Sequence, residues 1–207
     1  MSTRLLALAI AAFALLPLSC SGDSEDASPT AAAGGAGEAT EVIRFVPAPP
    51  EGSAAREGSC FGNSLAAQGR EDSWRCIERN QIYDPCFALD PEVIVCGANP
   101  SNGTPGFELT LTEPLPSLDV PAAAVAAAAT NGWLVRLADG TICGFATGAT
   151  GGVDDKRANY SCTDQRWILG DLTPGTVWMA HVATISVDAD GWHADPREEA
   201  PIAVVWQ

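Results

Sequence analysis

Apolar and polar positions alternate strongly in the second half of the chain. Phe107, Leu109 and Leu111 are separated by polar residues, which predicts a half-exposed strand over 107–112. Before it, Glu92-Val-Ile-Val-Cys96 is an unbroken apolar run of strand length, read as a buried strand, and Asp84-Pro85 is expected to turn the chain. Trp74 and Ile77 stand three apart with Cys76 beside them, between Gly69 and Asn80. That spacing predicts a short helix over 71–79, with Arg70, Arg75, Arg79, Glu71, Asp72 and Glu78 forming a solvated, salt-bridged face. Residues 121–129, proline followed by alanines and a valine, read either as a short helix or as a low-complexity insertion.

The clearest local signal is Asp139-Gly140 between Trp133-Leu-Val-Arg-Leu-Ala138 and Thr141-Ile-Cys-Gly-Phe-Ala146, a two-residue hairpin signature. Its register pairs Leu137 with Ile142, Val135 with Gly144 and Trp133 with Ala146, all on one apolar core face. Leu134, Arg136, Cys143 and Phe145 fall on the opposite face, so a disulfide through Cys143 is expected on the less apolar side. Strands follow at 157–162, 167–169, 176–187 and 201–207, the last with Ile202, Val204 and Trp206 sharing a face. His181 has the parity of Val177, Met179, Ile185 and Val187, which predicts that it lies on the apolar side. These elements give an α+β, mostly β chain: a small antiparallel sheet or partly closed barrel with one or two short helices, stapled by disulfides.

The N-terminal third has another character. An apolar run over residues 5–19 follows Arg4 and is succeeded by Ser21-Gly22-Asp23-Ser24-Glu25-Asp26, the organisation of an export signal. At 15 residues the run falls short of the ~20 that a spanning helix needs. The segment around Cys20 resembles a bacterial lipobox, with Ser19 before the cysteine, although Pro17 stands where the pattern has Leu and Leu16 is one residue early. The expected organisation is a signal peptide over 1–19, a disordered acidic tether over 20–59 and a folded domain over 60–207, with Cys20 lipidated as a membrane anchor. The alternative is an ordinary signal cut later, within Ala31-Ala32-Ala33. Inside the tether, residues 41–46 form a β-prone island that reads either as an edge strand or as linker.

Six cysteines remain after Cys20: Cys60, Cys76, Cys86, Cys96, Cys143 and Cys162. An even number behind an export signal predicts three disulfides, and sequential pairing is preferred among the possible connectivities. No Cys-x-x-Cys occurs, so zinc knuckles and thioredoxin-like sites have no support. Lys and Arg number 11 against 26 Asp and Glu, a net charge of -15, which argues against a nucleic-acid partner.

Candidate chemistry is sparse. The chain has two histidines, His181 and His193. His193 lies with Asp188, Asp190 and Asp195 in a stretch that partly resembles a calcium loop, but Arg197 occupies the position where a bidentate Glu belongs. A solvated hairpin turn is the preferred reading, with no metal and no cofactor assigned. No nucleophile-elbow or phosphate-loop motif is present. Asp84 reads as a turn former, and Trp192 as a loop tryptophan able to meet a ligand.

Two stretches carry a family resemblance. They are Ser59-Cys60-Phe61, Ser64-Leu65-Ala66, Arg70, Trp74-Arg75-Cys76 and Asn80-Gln81-Ile82-Tyr83-Asp84-Pro85-Cys86-Phe87, then Gly148-Ala149-Thr150, Asn159-Tyr160-Ser161-Cys162 and Gly170-Asp171. Over residues 59–207 the chain resembles an uncharacterised family of exported, often lipidated proteins from high-GC, actinobacterial-type bacteria. That resemblance implies no activity. The expectation is therefore a noncatalytic extracytoplasmic lipoprotein domain that binds a cell-envelope protein or glycan. The alternatives are a small secreted hydrolase using His181 or His193 with nearby carboxylates, and a structural or inhibitory scaffold.

Overall fold

The structure, a computed structural model, describes residues 37–48, 52, 55–117, 120–128 and 130–207. The expected signal over 1–19, Cys20 and residues 21–36 lie outside the described residues. Element order is β1 (Glu41–Ile43), β2 (Arg56–Asn63), β3 (Ser73–Glu78), β4 (Gln81–Ala88), β5 (Ile94–Cys96), β6 (Phe107–Leu111), α1 (Ala122–Ala128), β7 (Leu134–Leu137), β8 (Ile142–Phe145), β9 (Gly152–Val153), β10 (Lys156–Cys162), β11 (Arg166–Leu169), β12 (Trp178–Asp188) and β13 (Gly191–Trp206). The fold is mostly β with one short helix, and no described helix is long and apolar enough to cross a membrane.

Strands β2 to β6 form a closed five-stranded barrel, sealed by a parallel pairing of β2 with β6. Its core holds Trp74, Ile94, Phe107 and Leu109 around Cys60–Cys76 and Cys86–Cys96. Strands β7, β8, β10, β11, β12 and β13 form a second antiparallel ring, because β13 pairs with both β12 and β7. Inside it lie Val135, Leu137, Tyr160, Ile168, Val182 and Ile202, with the Cys143–Cys162 bridge. Each of the three disulfides links residues directly opposed on adjacent antiparallel strands. Both small cores are thus cross-linked from within, and three bridges point to an oxidising, extracytoplasmic environment.

The β-prone island is strand β1. It pairs parallel with the end of β13, along the edge where β12 stops. Thr40 stitches that junction: its hydroxyl accepts from the Trp178 N–H at 2.7 Å and donates to the Ile202 carbonyl at 2.6 Å. Ordered structure therefore begins well before residue 60, and 56–59, drawn into the tether, belong to β2.

Several expectations are corrected. The helix over 71–79 is strand β3, in which Trp74 and Cys76 point inward and Arg75 and Ile77 outward. Pairing with β2 through Cys60 and Cys76 overrides a weak helical spacing. Asp84-Pro85 lies inside β4 across a cis peptide bond, not at a turn. The β3–β4 register shifts between Trp74 and Cys76, facing these two residues, so the ladder there asks no N–H of the proline.

The hairpin is slipped by one residue. Val135 faces Cys143 and Leu134 faces Gly144, because the connection is a three-residue loop, Ala138-Asp139-Gly140, closed by the Leu137 N–H to the Thr141 carbonyl, with Gly140 at φ +91°. A one-residue slip reverses the partner strand's faces. Cys143 is accordingly in the ring's core and not on the less apolar side. In β13 the pairing with β7 shifts between Ile202 and Val204, which separates the three residues expected to share a face. Ile202 and Val205 enter the ring core, whereas Val204 and Trp206 pack outside it. In β12 the core residues are Trp178, Ala180 and Val182, so His181 lies on the opposite, half-exposed face. Met179 and Val187 are apolar yet point outward, so apolar parity does not mark the core face of this strand.

Leu134, on the face of β7 turned away from the ring core, is buried because the two barrels pack on each other, whereas Arg136 on that same face is exposed. Ala66, Ala67 and Phe87 of the first meet Trp133, Leu134, Val204 and Trp206 of the second, with Ile43 and Phe45 alongside. Rings of Phe45, Phe87 and Trp133 are mutually in contact at 5.7 to 5.8 Å between centroids.

Candidate binding cleft

Where the barrels meet, the structure encloses a cleft of about 560 Å³. Its walls come from four places. The 65–70 loop of the first barrel forms one side; Arg44, after β1, stands at its edge; Val125 of α1 approaches from outside. The end of the six-stranded ring supplies Asn131, Trp133, Phe145, Thr147, Arg157, Asn159 and Asp171.

The first wall is built around two charged side chains. Asp84, buried at 2% side-chain exposure, accepts from the Ser64 hydroxyl at 2.6 Å and the Leu65 N–H at 3.1 Å, while Ser64 Oγ accepts from the Ala67 N–H at 2.8 Å. The residue read as a turn former is thus the support of the 64–67 loop. Arg70 is 7% exposed and held by four hydrogen bonds: its fork binds both oxygens of Asp72 at 2.6 and 2.8 Å, its Nη1 donates to the carbonyls of Phe45 and Gln207 at 2.8 Å each, and its Cζ lies 4.4 Å from the Phe87 centroid. Burial pushes the Asp72 carboxyl up, but the Arg70 hydrogen bond and the charges of Arg70 and Arg44 outweigh it and hold it below the usual carboxylate range. Of the arginines expected on one solvated face, Arg70 is therefore a buried clamp, Arg75 is half-buried against Asp84 at 3.7 Å, and Arg79 alone is largely exposed.

The facing wall is a polar relay. Arg157 donates from Nη2 to the carbonyls of Ala146 at 2.6 Å and Gly148 at 2.9 Å, and from Nη1 to Asn159 Oδ1 at 3.0 Å. Asn159 passes its own amide N–H to Asp171 Oδ1 at 3.4 Å, and Asn131 donates to the same oxygen at 3.3 Å. Asn131 is held in turn, its Oδ1 accepting from the Leu172 N–H at 3.1 Å. Beneath it Tyr160 donates to the Gly132 carbonyl at 2.8 Å, and burial pushes its phenol well above the usual tyrosine range. Phe145 and Trp133 supply the apolar floor, and the buried Trp133 Nε1–H has no acceptor among the described residues. A cleft with ring surface, two anchored amides, an exposed carboxylate and a fixed guanidinium can hold a polyhydroxylated molecule by stacking and convergent hydrogen bonds.

The sequence-nominated residues lie elsewhere. His193 Nε2 is 2.9 Å from Asp188 Oδ1 in the exposed β12–β13 turn, an interaction that lowers the Asp188 carboxyl. No three of Asp188, Asp190, His193 and Asp195 bring ligand atoms within 4.8 Å of one another; Cys76, Cys86 and Cys96, which do, are oxidised in disulfides. His181 lines a second, shallower depression, 3.8 Å from Glu199, whose described lining includes no serine, threonine or cysteine. Trp192 is 38% exposed, its ring lying over Gly151. The cleft residues carried no motif: Arg44, Asn131 and Asp171 come from segments separate from β10, which carries Arg157 and Asn159, and only the occurrence of Asn159 and Asp171 in the quoted resemblance marked any of them. Family models, curated proteins and solved structures were all compared with this chain, and none matches.

Proposed function

We propose that this chain is a noncatalytic extracytoplasmic binding domain that takes a cell-envelope glycan in the cleft between its two barrels, and that Cys20 carries a lipid anchor holding it at a membrane. The carrying observation is the convergence of Asn131, Asn159, Asp171 and Arg157 on one side of a cleft floored by Trp133 and Phe145. Three internal disulfides support a location where thiols are oxidised.

Amide and carboxylate groups already fixed by neighbouring bonds lose little freedom on binding, and an aromatic floor covers the apolar face of a sugar ring. The test is titration of the full-length chain with a panel of envelope oligosaccharides, read by tryptophan fluorescence and by the indole resonance of Trp133. Saturable changes that disappear in Asn159→Leu support the reading. Silence across the panel, with a protein from solubilised envelope retained by the parent chain and not by the Asn159→Leu variant, would replace the glycan with a protein partner.

A further inference from the structure

Among the described residues, carboxylates lie within salt-bridge distance of Arg44, Arg70, Arg75, Arg79, Arg166 and Arg197. Arg157 is not in that group. In a protein with 26 acidic residues, its guanidinium is fixed by two backbone carbonyls and the Asn159 amide oxygen, all neutral, beside the face of Phe145 at 5.5 Å. Asn159 stands between it and Asp171, bonding the cation through oxygen and the carboxylate through nitrogen. The two opposite charges are thereby held at either end of one amide and do not neutralise each other.

Resting on the proposed glycan reading, we infer that the sugar bound in this cleft is acidic, a uronic-acid residue whose carboxylate meets Arg157 while its ring hydroxyls donate to Asp171. Arg44 and Arg70 add two further guanidinium groups to the lining, against Asp171 in the wall and Asp72 behind it. The net charge of -15 opposes anions at long range, but in physiological salt fields fade over about 8 Å, so the local groups decide. Both N–H groups on Nη2 and one on Nη1 are engaged, so Arg157 meets the ligand through its remaining Nη1–H; a charge-assisted bond from it is shorter and stronger with a carboxylate than with a neutral hydroxyl.

The experiment compares a uronic-acid disaccharide with its carboxyl-reduced counterpart, identical except that CH2OH replaces the carboxylate, titrated into the full-length chain at 0.05 and 0.5 M salt. The expected result is about tenfold tighter binding of the acid at low salt, a preference that shrinks at high salt. Arg157→Gln should remove the preference, so that the variant binds the acid and the reduced sugar with equal affinity. Because Arg157 also holds the carbonyls of Ala146 and Gly148, Arg157→Lys is run beside it; it keeps the charge and should retain part of the preference. Equal affinities for the two sugars in the unaltered protein would overturn the acid inference and leave the glycan reading standing. Absence of binding to both and to the wider panel would remove both.

Discussion

Arg70 and Gln207 are joined by a 2.8 Å hydrogen bond from the guanidinium of one to the backbone carbonyl of the other, across 137 positions of sequence. The same nitrogen reaches Phe45, so one buried side chain beside the first barrel ties down the residue that follows β13 and the segment that follows β1. Gln207 and β1 are further laced by backbone bonds between Phe45 N and Gln207 O and between Gln207 N and Ile43 O. The wall of the cleft formed by residues 65–70 is held against the ring by this clamp.

Truncating that clamp should be costly. Arg70→Leu takes from the part-buried Asp72 carboxylate its bidentate partner and from the Phe45 and Gln207 carbonyls their guanidinium bond, and losing charge-assisted bonds of this kind costs about 2 kcal/mol or more. Urea unfolding should show that loss, and Arg70→Lys, which keeps charge without the fork, should recover only part of it. A change under 1 kcal/mol would show that the two barrels do not depend on Arg70.

The bridge in the ring core should matter as much. Cys143 and Cys162 close a loop of 19 positions, for which the chain-entropy account gives about 3 kcal/mol. The double Ala variant should unfold earlier by that amount in urea, and added reductant, which opens all three bridges, should abolish the difference between the two proteins.

Two glycines separate conformation from space. Gly140 has φ +91° but a Cβ there would meet nothing within 4 Å, so Gly140→Ala should cost about 1 kcal/mol, from backbone strain alone. At Gly106, φ is +84° and a Cβ would also lie 2.5 Å from the Cys96 carbonyl oxygen, which is fixed in the barrel. Gly106→Ala should therefore lower the melting temperature clearly more than Gly140→Ala. Equal shifts would mean that the close approach is relieved at no cost.

Arg166 gathers Asp139, Asp164 and Glu198 at 2.5 to 2.6 Å on the rim of the ring. The Thr141 backbone N–H and the Arg166 guanidinium lower the Asp139 carboxyl; burial raises Asp164, but its bonds from Arg166 outweigh this and leave it lowered as well. Depressed carboxyls contribute stability that is fully present above their ordinary value of 3.8 and is lost as pH falls through the lower folded value. Arg166→Gln should thus be less stable than the parent at neutral pH, by on the order of 1 kcal/mol because solvent screens these groups. The gap should narrow as pH is taken below 3.8; a gap that is constant with pH would assign the loss to packing of the arginine stem.

Membrane attachment is tested through Cys20. Cys20→Ala should move the protein from the membrane fraction to the soluble extracytoplasmic fraction, since one diacylglyceryl group is the whole of the proposed anchor. Continued sedimentation with membranes would put the attachment elsewhere.

The local sequence determined strand identity wherever a single contiguous pattern carried it: the apolar run ending in Cys96, the alternation at Phe107, and Ala158, Tyr160 and Cys162 in β10. These needed only the two-residue period of a strand, which neighbours in sequence express. The spacing of cysteines likewise pointed to sequential bridges, because short loops close at small entropic cost. What tertiary structure decided is everything that depends on a partner strand: β3 in place of a helix, the hairpin slip that turned Cys143 inward, the bulge that parted Ile202 from Val204, and the closure of two rings. The cleft belongs to that second class, since Arg44, Asn131, Arg157 and Asp171 become neighbours only when distant strands pair, and pairing energy is set by what each strand meets across the ladder.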